Sequence, residues 1–310
     1  MPTPIPGIHH VTAIASDPAA NVTFYTETLG LRLVKRTVNF DAPDTYHLYY
    51  ADGAGTPGTA MTFFPWPNAS PGRPGTGQVT TTQFSIPDGS AEFWADRLER
   101  EGVDVERTVR FGESVLVLSD PDGIGLELVG SDGGESEPWG EEVPEEHAIR
   151  GFHGVSLTVG GYERSAELLE TMGYEAAEED APRFRYRTEG LAPVVDLVCR
   201  PDAMRGSFGP GTVHHVAFRM ADDVMQAEWR EALAESGFDP TPVLDRQYFR
   251  SIYFREPNGV LYEFATDPPG FTADESVDDL GGELKLPPWL EGDREEIEAS
   301  LPPLPLEGGR

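Results

Sequence analysis

The sequence predicts an α+β fold made of four βαβββ modules that form two domains of two paired modules. Three observations lead to this prediction. A strand-like segment followed by a helix that ends at glycine occurs four times. The chain of 310 residues is long enough for about two domains with their own cores. The four closing glycines recur at nearly even intervals, at Gly30, Gly102, Gly173 and Gly237.

Each module is predicted to start with a buried strand and a helix. These pairs are Ile8–Ala15 with Asn21–Leu29, Val79–Ile86 with Ser90–Glu101, Phe152–Val159 with Ser165–Met172, and Val213–Met220 with Val224–Ser236. Further strands follow each helix. Modules 2 and 4 share a Pro-Asx-Gly turn before their last strand. A carboxylate follows each turn glycine by four residues, at Glu127 and Glu263.

The modules suggest where the domains begin and end. Residues 1–134 are predicted as an N-terminal domain with two modules, and residues 149–270 as a C-terminal domain with the other two. The acidic stretch 135–148 is predicted to link them. Residues 271–310 form an acidic, Pro-rich tail that is either packed on the body or partly disordered, with one possible helix at Asp293–Leu301.

The charge of the chain is strongly acidic, with 54 Asp and Glu against 23 Lys and Arg and a formal net charge of −31. Such a surface repels nucleic acids and anionic membranes, so neither is expected as a partner. We interpret the excess as a solvated acidic coat, as in halophilic proteins from a high-salt cytoplasm. The sequence has neither a signal peptide nor an apolar run of about 20 residues, so a cytoplasmic location is expected.

Repeat-equivalent positions identify a candidate metal site. On the first strand the equivalent residues are His10, Thr81, Gly154 and His215, and on the last strand they are Thr62, Glu127, Asp196 and Glu263. Only modules 1 and 4 together supply two histidines and one carboxylate, namely His10, His215 and Glu263. This is a ligand set of non-haem Fe(II) sites with open positions, and Mn(II) can occupy it. The count therefore predicts that the first and last modules meet in space, although a single buried histidine is more often a hydrogen-bonded core residue.

Other polar residues are candidates for the surroundings of this site. Because side chains alternate along a regular strand, His9 and His214 are expected to point away from the ligands and to support the site from outside or to lie between modules. Thr12 shares the face of His10 and could line the pocket. Arg246 and Tyr253 could stabilise charge or donate a proton, although a surface arginine and a packed tyrosine are equally compatible with the sequence.

Two further interpretations are open. His47 could face the pocket, but a structural role is favoured. Glu127 and Asp196 belong to modules without a histidine at the ligand position, so they are interpreted as relics or as salt-bridge partners.

These features resemble the vicinal oxygen chelate superfamily, which includes glyoxalase I, bleomycin-resistance proteins and extradiol dioxygenases. The resemblance is closest to its hydroquinone-cleaving ring dioxygenases, and it covers about residues 7 to 271. The segments that carry it are Ile8–Thr12, Leu33–Thr37, Tyr46–Asp52, Gly55–Thr59, Gly151–His153, Val213–Phe218 and the strand of Glu263. It implies metal ligands at the three positions found by the count, and pocket roles for His9, Thr12, His214, Arg246 and Tyr253.

The resemblance implies a ring-cleaving dioxygenase that uses Fe(II), or Mn(II), and O₂ to open a hydroquinone or a catechol, with a homodimer possible. Two alternatives are open. A glyoxalase-type isomerase or lyase would usually need more than one carboxylate in the site. A metal-free binding or resistance protein for quinones would not need the His-His-Glu set.

Overall fold

The computed structural model describes residues 2–131 and 136–306, and its four modules have the predicted βαβββ order. Module 1 contains β1 (Ile8–Ala15), α1 (Pro18–Thr23), a π-helical segment (Phe24–Thr28), β2 (Arg32–Asn39), β3 (Ala42–Ala51) and β4 (Ala60–Pro65). Module 2 contains β5 (Gln78–Ile86), α2 (Ala91–Arg100), β6 (Glu106–Arg110), β7 (Glu113–Ser119) and β8 (Gly125–Gly130).

Modules 3 and 4 repeat this order in the second half of the chain. Module 3 contains β9 (Phe152–Val159), α3 (Glu163–Thr171), β10 (Glu175–Asp180), β11 (Arg183–Arg187) and β12 (Val194–Cys199). Module 4 contains β13 (Thr212–Met220), α4 (Asp223–Glu235), β14 (Leu244–Asp245), β15 (Arg250–Arg255) and β16 (Leu261–Thr266). The tail adds three short 3₁₀ turns and α5 (Arg294–Ser300). In the described part of the chain, no helix is both long and apolar enough to cross a membrane.

The strands of the described residues form two eight-stranded sheets, and the α+β fold of paired modules is confirmed. The first sheet has the order β14-β15-β16-β13-β1-β4-β3-β2, and the second β10-β11-β12-β9-β5-β8-β7-β6. Module 1 therefore pairs with module 4, as the ligand count predicts, and module 2 pairs with module 3. The antiparallel contacts β1–β13 and β5–β9 join the modules.

This pairing does not follow the division of the sequence into halves. Each sheet takes one module from residues 1–134 and one from residues 149–270, because the central strands of modules 1 and 4 bond to each other. One apolar cluster also includes residues of all four modules, for example Phe63, Trp94, Leu169 and Phe254. The two halves as separate folding domains stay a prediction.

Each of the four module helices is closed by a glycine. The four glycines that close the module helices have φ between 68° and 96°, the left-handed region in which glycine is favoured.

Residues 136–148 of the predicted linker lie against the body, where Val143 is buried beside Gly30 and Trp94 Nε1 donates to the carbonyl of His147. Glu135 lies outside the described residues.

The described part of the tail, up to residue 306, is packed on the first sheet. Phe271, Leu280, Leu286 and Ile297 are buried, and α5 falls inside the segment predicted to be helical. Lys285 N donates to the carbonyl of Arg36 beside the outer strand β2. The tail therefore covers an edge that would otherwise present unpaired backbone groups.

Candidate metal centre

Three adjacent strands of the first sheet, β1, β13 and β16, place three polar side chains at the same position along the strand direction. On one side of β13, Ala217 is paired with His10 of β1, and on the other side it is paired with Glu263 of β16. His215 precedes Ala217 by two residues, so the two share a face of the sheet. Because the Ala217 side chain is small, this face of the sheet has room for the side chains of His10, His215 and Glu263.

The three side chains converge on a single point. Nε2 of His215 lies 2.8 Å from Oε2 of Glu263, and Nε2 of His10 lies 3.3 Å from the same oxygen. The two Nε2 atoms are 3.3 Å apart. All three residues are buried, and their ligand atoms lie within 4.8 Å of one another.

The chemistry of these atoms fits a cation. Oε1 of Glu263 accepts a hydrogen bond from the Ser251 hydroxyl, whereas the buried Oε2 lies beside the Nε2 atoms of His10 and His215. A buried carboxylate is costly unless a positive charge compensates it. Burial raises the pKa of Glu263, but the imidazoles of His10 and His215 outweigh this and hold the pKa well below its usual range. Two imidazoles and one carboxylate with space on one side form a facial set for a divalent metal.

β-Bulges explain why the neighbouring histidines lie closer than alternation predicts. The β1–β13 register shifts between Ile8 and His10, and again between Thr12 and Ala13, so that His9 and His214 are the extra residues. His214 consequently lines the same cavity as His215, and the expectation that it faces away is corrected. The β5–β9 contact shifts at the equivalent places, between Val79 and Thr81 and between Gln83 and Phe84.

Each candidate ligand histidine contacts the histidine before it. Nδ1 of His9 lies 2.9 Å from Nδ1 of His10, and Nδ1 of His214 lies 2.8 Å from Nδ1 of His215. These contacts leave both Nε2 atoms directed at Glu263. A partner on the second ring nitrogen fixes the tautomer and orientation of a ligand histidine.

A cavity of about 260 Å³ opens beside the three residues. Its lining consists of His10, Asn39, Phe40, Asp41, His47, Tyr49, Phe64, Trp66, His214, His215, Arg246, Phe249, Tyr253, Leu261 and Glu263. Most of this wall is aromatic, so the cavity suits a planar ring.

Arg246 and Tyr253, which the sequence gives as candidates for polar groups of the pocket, both line this cavity. The Arg246 guanidinium carbon lies 5.7 Å from the centre of the Tyr253 ring, and Nη1 of Arg246 lies 3.0 Å from Oδ2 of Asp41. Burial, followed by the charge of Glu263, raises the pKa of Tyr253, so its hydroxyl is protonated at neutral pH.

Thr12 and His47 differ from their expected positions. Thr12 is fully buried, shares a hydrogen bond of 2.8 Å with the Thr62 hydroxyl, and does not line the cavity. His47 does line it, although the sequence favours a structural role for this residue. The alternation of Tyr46–Tyr50 on β3 places His47 and Tyr49 on one face, but only the sheet order shows that this face meets the ligands.

The equivalent positions of the second sheet are filled by ion pairs. Glu127 lies 2.7 Å from the Arg110 guanidinium, and Asp196 contacts both Arg183 and Arg185 at 2.8 and 2.7 Å. The interpretation of these carboxylates as salt-bridge partners is confirmed. In the second sheet, arginine side chains therefore neutralise the carboxylates at these positions.

Comparison with known proteins gives a consistent result. The family model of the glyoxalase/bleomycin resistance protein/dioxygenase superfamily matches residues 7–128. The Bacillus subtilis protein named "Putative ring-cleaving dioxygenase MhqO" is 46% identical over 305 residues, which are 97% of this chain and 96% of that protein. The Sphingobium indicum chlorohydroquinone/hydroquinone 1,2-dioxygenase is 37% identical over 312 residues, covering 96% of each chain.

Solved structures agree with the architecture. A crystal structure of a "putative dioxygenase" from Bacillus subtilis has a TM-score of 0.96 and 45% identity, covering 98% of this chain and 99% of that one. A glyoxalase I mutant from Zea mays has a TM-score of 0.64 at 20% identity, covering 84% and 92% of the two chains. The second likeness concerns the fold alone.

Proposed function

Because the chain belongs to the glyoxalase/bleomycin resistance protein/dioxygenase superfamily, also called the vicinal oxygen chelate superfamily, we propose that it is a metal-dependent dioxygenase that uses O₂ to cleave hydroquinone- or catechol-type rings. The observation that carries this proposal is the convergence of His10, His215 and Glu263 on one point beside an aromatic cavity. Relatives at 37–46% identity over nearly the whole chain bear ring-cleaving dioxygenase names.

In this proposal His10, His215 and Glu263 hold Fe(II), with Mn(II) as the alternative. Two imidazoles and one carboxylate suit both metals and leave positions for substrate and O₂. The bound metal would supply the one-electron chemistry that allows O₂ to react with an aromatic ring. His9 and His214 act on the ligand histidines through their Nδ1 contacts. Thr12 supports the site through Thr62, and not by contact with substrate.

Charged and polar groups of the cavity would act on the substrate directly. Arg246 is a cation at any physiological pH, so it stabilises negative charge that develops on substrate oxygens. The protonated Tyr253 hydroxyl can donate a hydrogen bond to such an oxygen. Phe64, Trp66 and Phe249 contribute apolar walls that hold a ring and exclude water.

Oxygen uptake tests the proposal. The protein is freed of metal, reloaded anaerobically with Fe(II) in high salt, and mixed with a panel of hydroquinones and catechols. We expect metal-dependent O₂ consumption that is lost in His215→Ala. Stoichiometric metal binding without O₂ consumption on any ring would instead favour a glyoxalase-type isomerase, although the cluster has only one carboxylate.

A metal-free quinone-binding protein is the other alternative. This alternative does not explain why the buried carboxylate of Glu263 and two imidazoles converge with three possible metal-ligand atoms. Failure to bind any divalent metal would contradict the proposed site and favour this alternative.

The cytoplasmic location and the homodimer expected from the sequence belong to the same proposal. Cell fractionation tests the first, and sedimentation in high salt tests the second.

A further inference from the structure

A row of hydrogen-bonded side chains crosses the first sheet from Thr12 to Tyr49. It begins beside the three candidate ligands His10, His215 and Glu263, here called the metal cluster, and ends at another wall of the cavity. Thr12 and Thr62 share a hydrogen bond of 2.8 Å between their hydroxyls, and Nε2 of His47 lies 2.9 Å from the Thr62 hydroxyl. Nδ1 of His47 lies 2.8 Å from the Tyr49 hydroxyl, which ends the row. His47 and Tyr49 both line the cavity, yet neither belongs to the metal cluster.

The row follows from strand register. Thr12 is paired with His215 on one side and with Thr62 on the other, and Thr62 is paired with Tyr49. These residues therefore share one face of the sheet. Strand β3, which carries Tyr49, is the second neighbour of β1 in the sheet order, so the two are separated by roughly 10 Å along the sheet. The metal cluster and Tyr49 thus lie on one face of the sheet and form two separate walls of one small cavity.

The row fixes Tyr49 while leaving its hydroxyl able to bind another group. Burial, and then the imidazoles of His10 and His215, lower the pKa of His47 well below its usual value, so its ring is neutral. A neutral imidazole donates with one nitrogen and accepts with the other. If Nδ1 carries the proton, His47 donates to Tyr49, and the Tyr49 hydrogen is available to the cavity. If Nε2 carries it, Tyr49 donates to His47 and offers a lone pair to the cavity.

Burial also keeps Tyr49 in its phenol form. Burial and the charge of Glu263 raise the pKa of its hydroxyl well above the usual value. The Tyr49 ring packs against His47 with 4.1 Å between the ring centres, and Phe271 of the tail packs against it at 5.1 Å. The hydroxyl is therefore held in place before any ligand arrives, which reduces the entropy lost on binding.

We propose that Tyr49, oriented by His47, binds the second hydroxyl of a para-dihydroxylated ring whose first oxygen lies at the metal cluster. This inference rests on the proposed function. A hydroquinone has its two oxygens at opposite ends of the ring, so it can reach both walls of the cavity. A catechol has adjacent oxygens, and a monophenol lacks the second one, so neither can engage both walls. Tyr49 is thus assigned as a residue that selects hydroquinones.

The test compares Tyr49→Phe with wild type and with Tyr50→Phe. The control removes a neighbouring hydroxyl that donates to Asn21 and is remote from the cavity. Dissociation constants for hydroquinone, catechol and phenol are measured anaerobically by calorimetry on the metal-loaded proteins. The ratio of kcat/KM for hydroquinone over catechol is then measured with O₂.

We expect Tyr49→Phe to weaken hydroquinone binding by about 3- to 10-fold, the value of one neutral hydrogen bond, with phenol and catechol unchanged. His47→Phe should have the same selective effect because it frees Tyr49 from its orientation. Tyr50→Phe should have none. Equal losses for all three ligands, or no loss for hydroquinone, would overturn the assignment.

The binding measurement separates this inference from the proposed function. A wild-type protein that consumes no O₂ with any ring contradicts the dioxygenase. Hydroquinone selectivity in binding that depends on Tyr49 would still support the assignment in that case.

Discussion

Nζ of Lys35 lies 2.6 Å from Oδ1 of Asp274, with the lysine completely shielded from solvent. The same Nζ contacts the carboxylate of Glu275 and lies 4.8 Å from the centre of the Tyr248 ring. Tyr248 donates to Oδ2 of Asp274 at 3.0 Å and directly precedes the cavity residue Phe249. One buried ammonium group therefore joins the tail, the outer part of the first sheet and the wall of the candidate site.

Replacing Lys35 by Met should destabilise the protein by about 3–5 kcal/mol, because it leaves carboxylates without their buried cation. Urea unfolding of the metal-free protein measures this loss. Lys285→Met is the matched control, since Lys285 pairs with the exposed Glu283 and should lose less than about 1 kcal/mol. Similar losses in both variants would show that the buried cluster has no special role in stability.

Glu263→Gln should abolish stoichiometric binding of Fe(II) or Mn(II), whereas Glu127→Gln should not. The two glutamates occupy equivalent repeat positions, but Glu127 is paired with Arg110 and has no histidine at the positions beside it. Metal content after anaerobic loading and desalting is the measurement. Metal loss in the Glu127 variant would place the binding site elsewhere, provided that its circular dichroism spectrum is that of the wild type.

His214→Phe should weaken metal binding by about 10- to 100-fold without removing a ligand, the usual effect of losing a partner of a ligand histidine. The phenyl ring fills the space among Phe64, Trp66 and Phe208 but cannot contact Nδ1 of His215 through a nitrogen. Competition with a chromogenic chelator gives the affinity. An unchanged affinity would mean that the Nδ1 contact does not tune the ligand.

The metal-free protein should lose stability as the pH falls below about 6.5. Burial, and then His215, lower the pKa of His214 to about 3, and burial also lowers those of His9 and His47. Between these values and about 6.5 the unfolded chain binds more protons, so the free energy of unfolding decreases as the pH decreases. Each such histidine contributes up to about 1.4 kcal/mol per pH unit in this range.

Urea unfolding between about pH 7.5 and 5, in salt that screens the acidic surface, measures this slope. His214→Phe should have a shallower slope than wild type. Burial raises the pKa of Asp120 to about 7, so this carboxyl contributes the opposite slope in both proteins. A slope in His214→Phe equal to that of wild type would therefore contradict the assignment of His214 as neutral.

Added KCl should stabilise the protein because it screens the repulsion among the excess carboxylates. The Debye length falls from about 30 Å at 0.01 M to about 3 Å at 1 M, so most of the gain should occur below about 0.3 M. The urea midpoint should rise while the slope of unfolding with urea stays constant. A midpoint that does not change with KCl would remove the reason to associate the acidic surface with high salt.

The repeat made the architecture and the three converging residues predictable from the sequence. Alignment of His10 with His215, and of Glu127 with Glu263, required only the recurring strand and turn patterns. The pairing of modules followed from chemistry, since only modules 1 and 4 combine two histidines with a carboxylate. The repeat therefore made a contact between distant segments predictable from short sequence patterns.

The positions around the ligands were less predictable, because they depend on bulges and on sheet order. The β-bulges at His9 and His214 change which face of the sheet these side chains reach. No residue type in either strand indicates the bulges in advance. His47 and Tyr49 enter the cavity because β3 lies two strands from β1 in a sheet whose order crosses between modules. The buried contact between Lys35 and Asp274 joins segments more than two hundred residues apart and has no local signature.

The crossing of modules also determines when the cluster can exist during synthesis. Modules 2 and 3 are adjacent in the chain, so both parts of the second sheet are complete before β13 has been made. Strand β1 must wait for about two hundred further residues, roughly 10 to 40 s at ordinary rates of translation. No nascent or truncated chain that ends before Glu263 can bring the three residues together. Glu263, the last of the three residues in chain order, is therefore synthesised only after most of the residues that surround the candidate site.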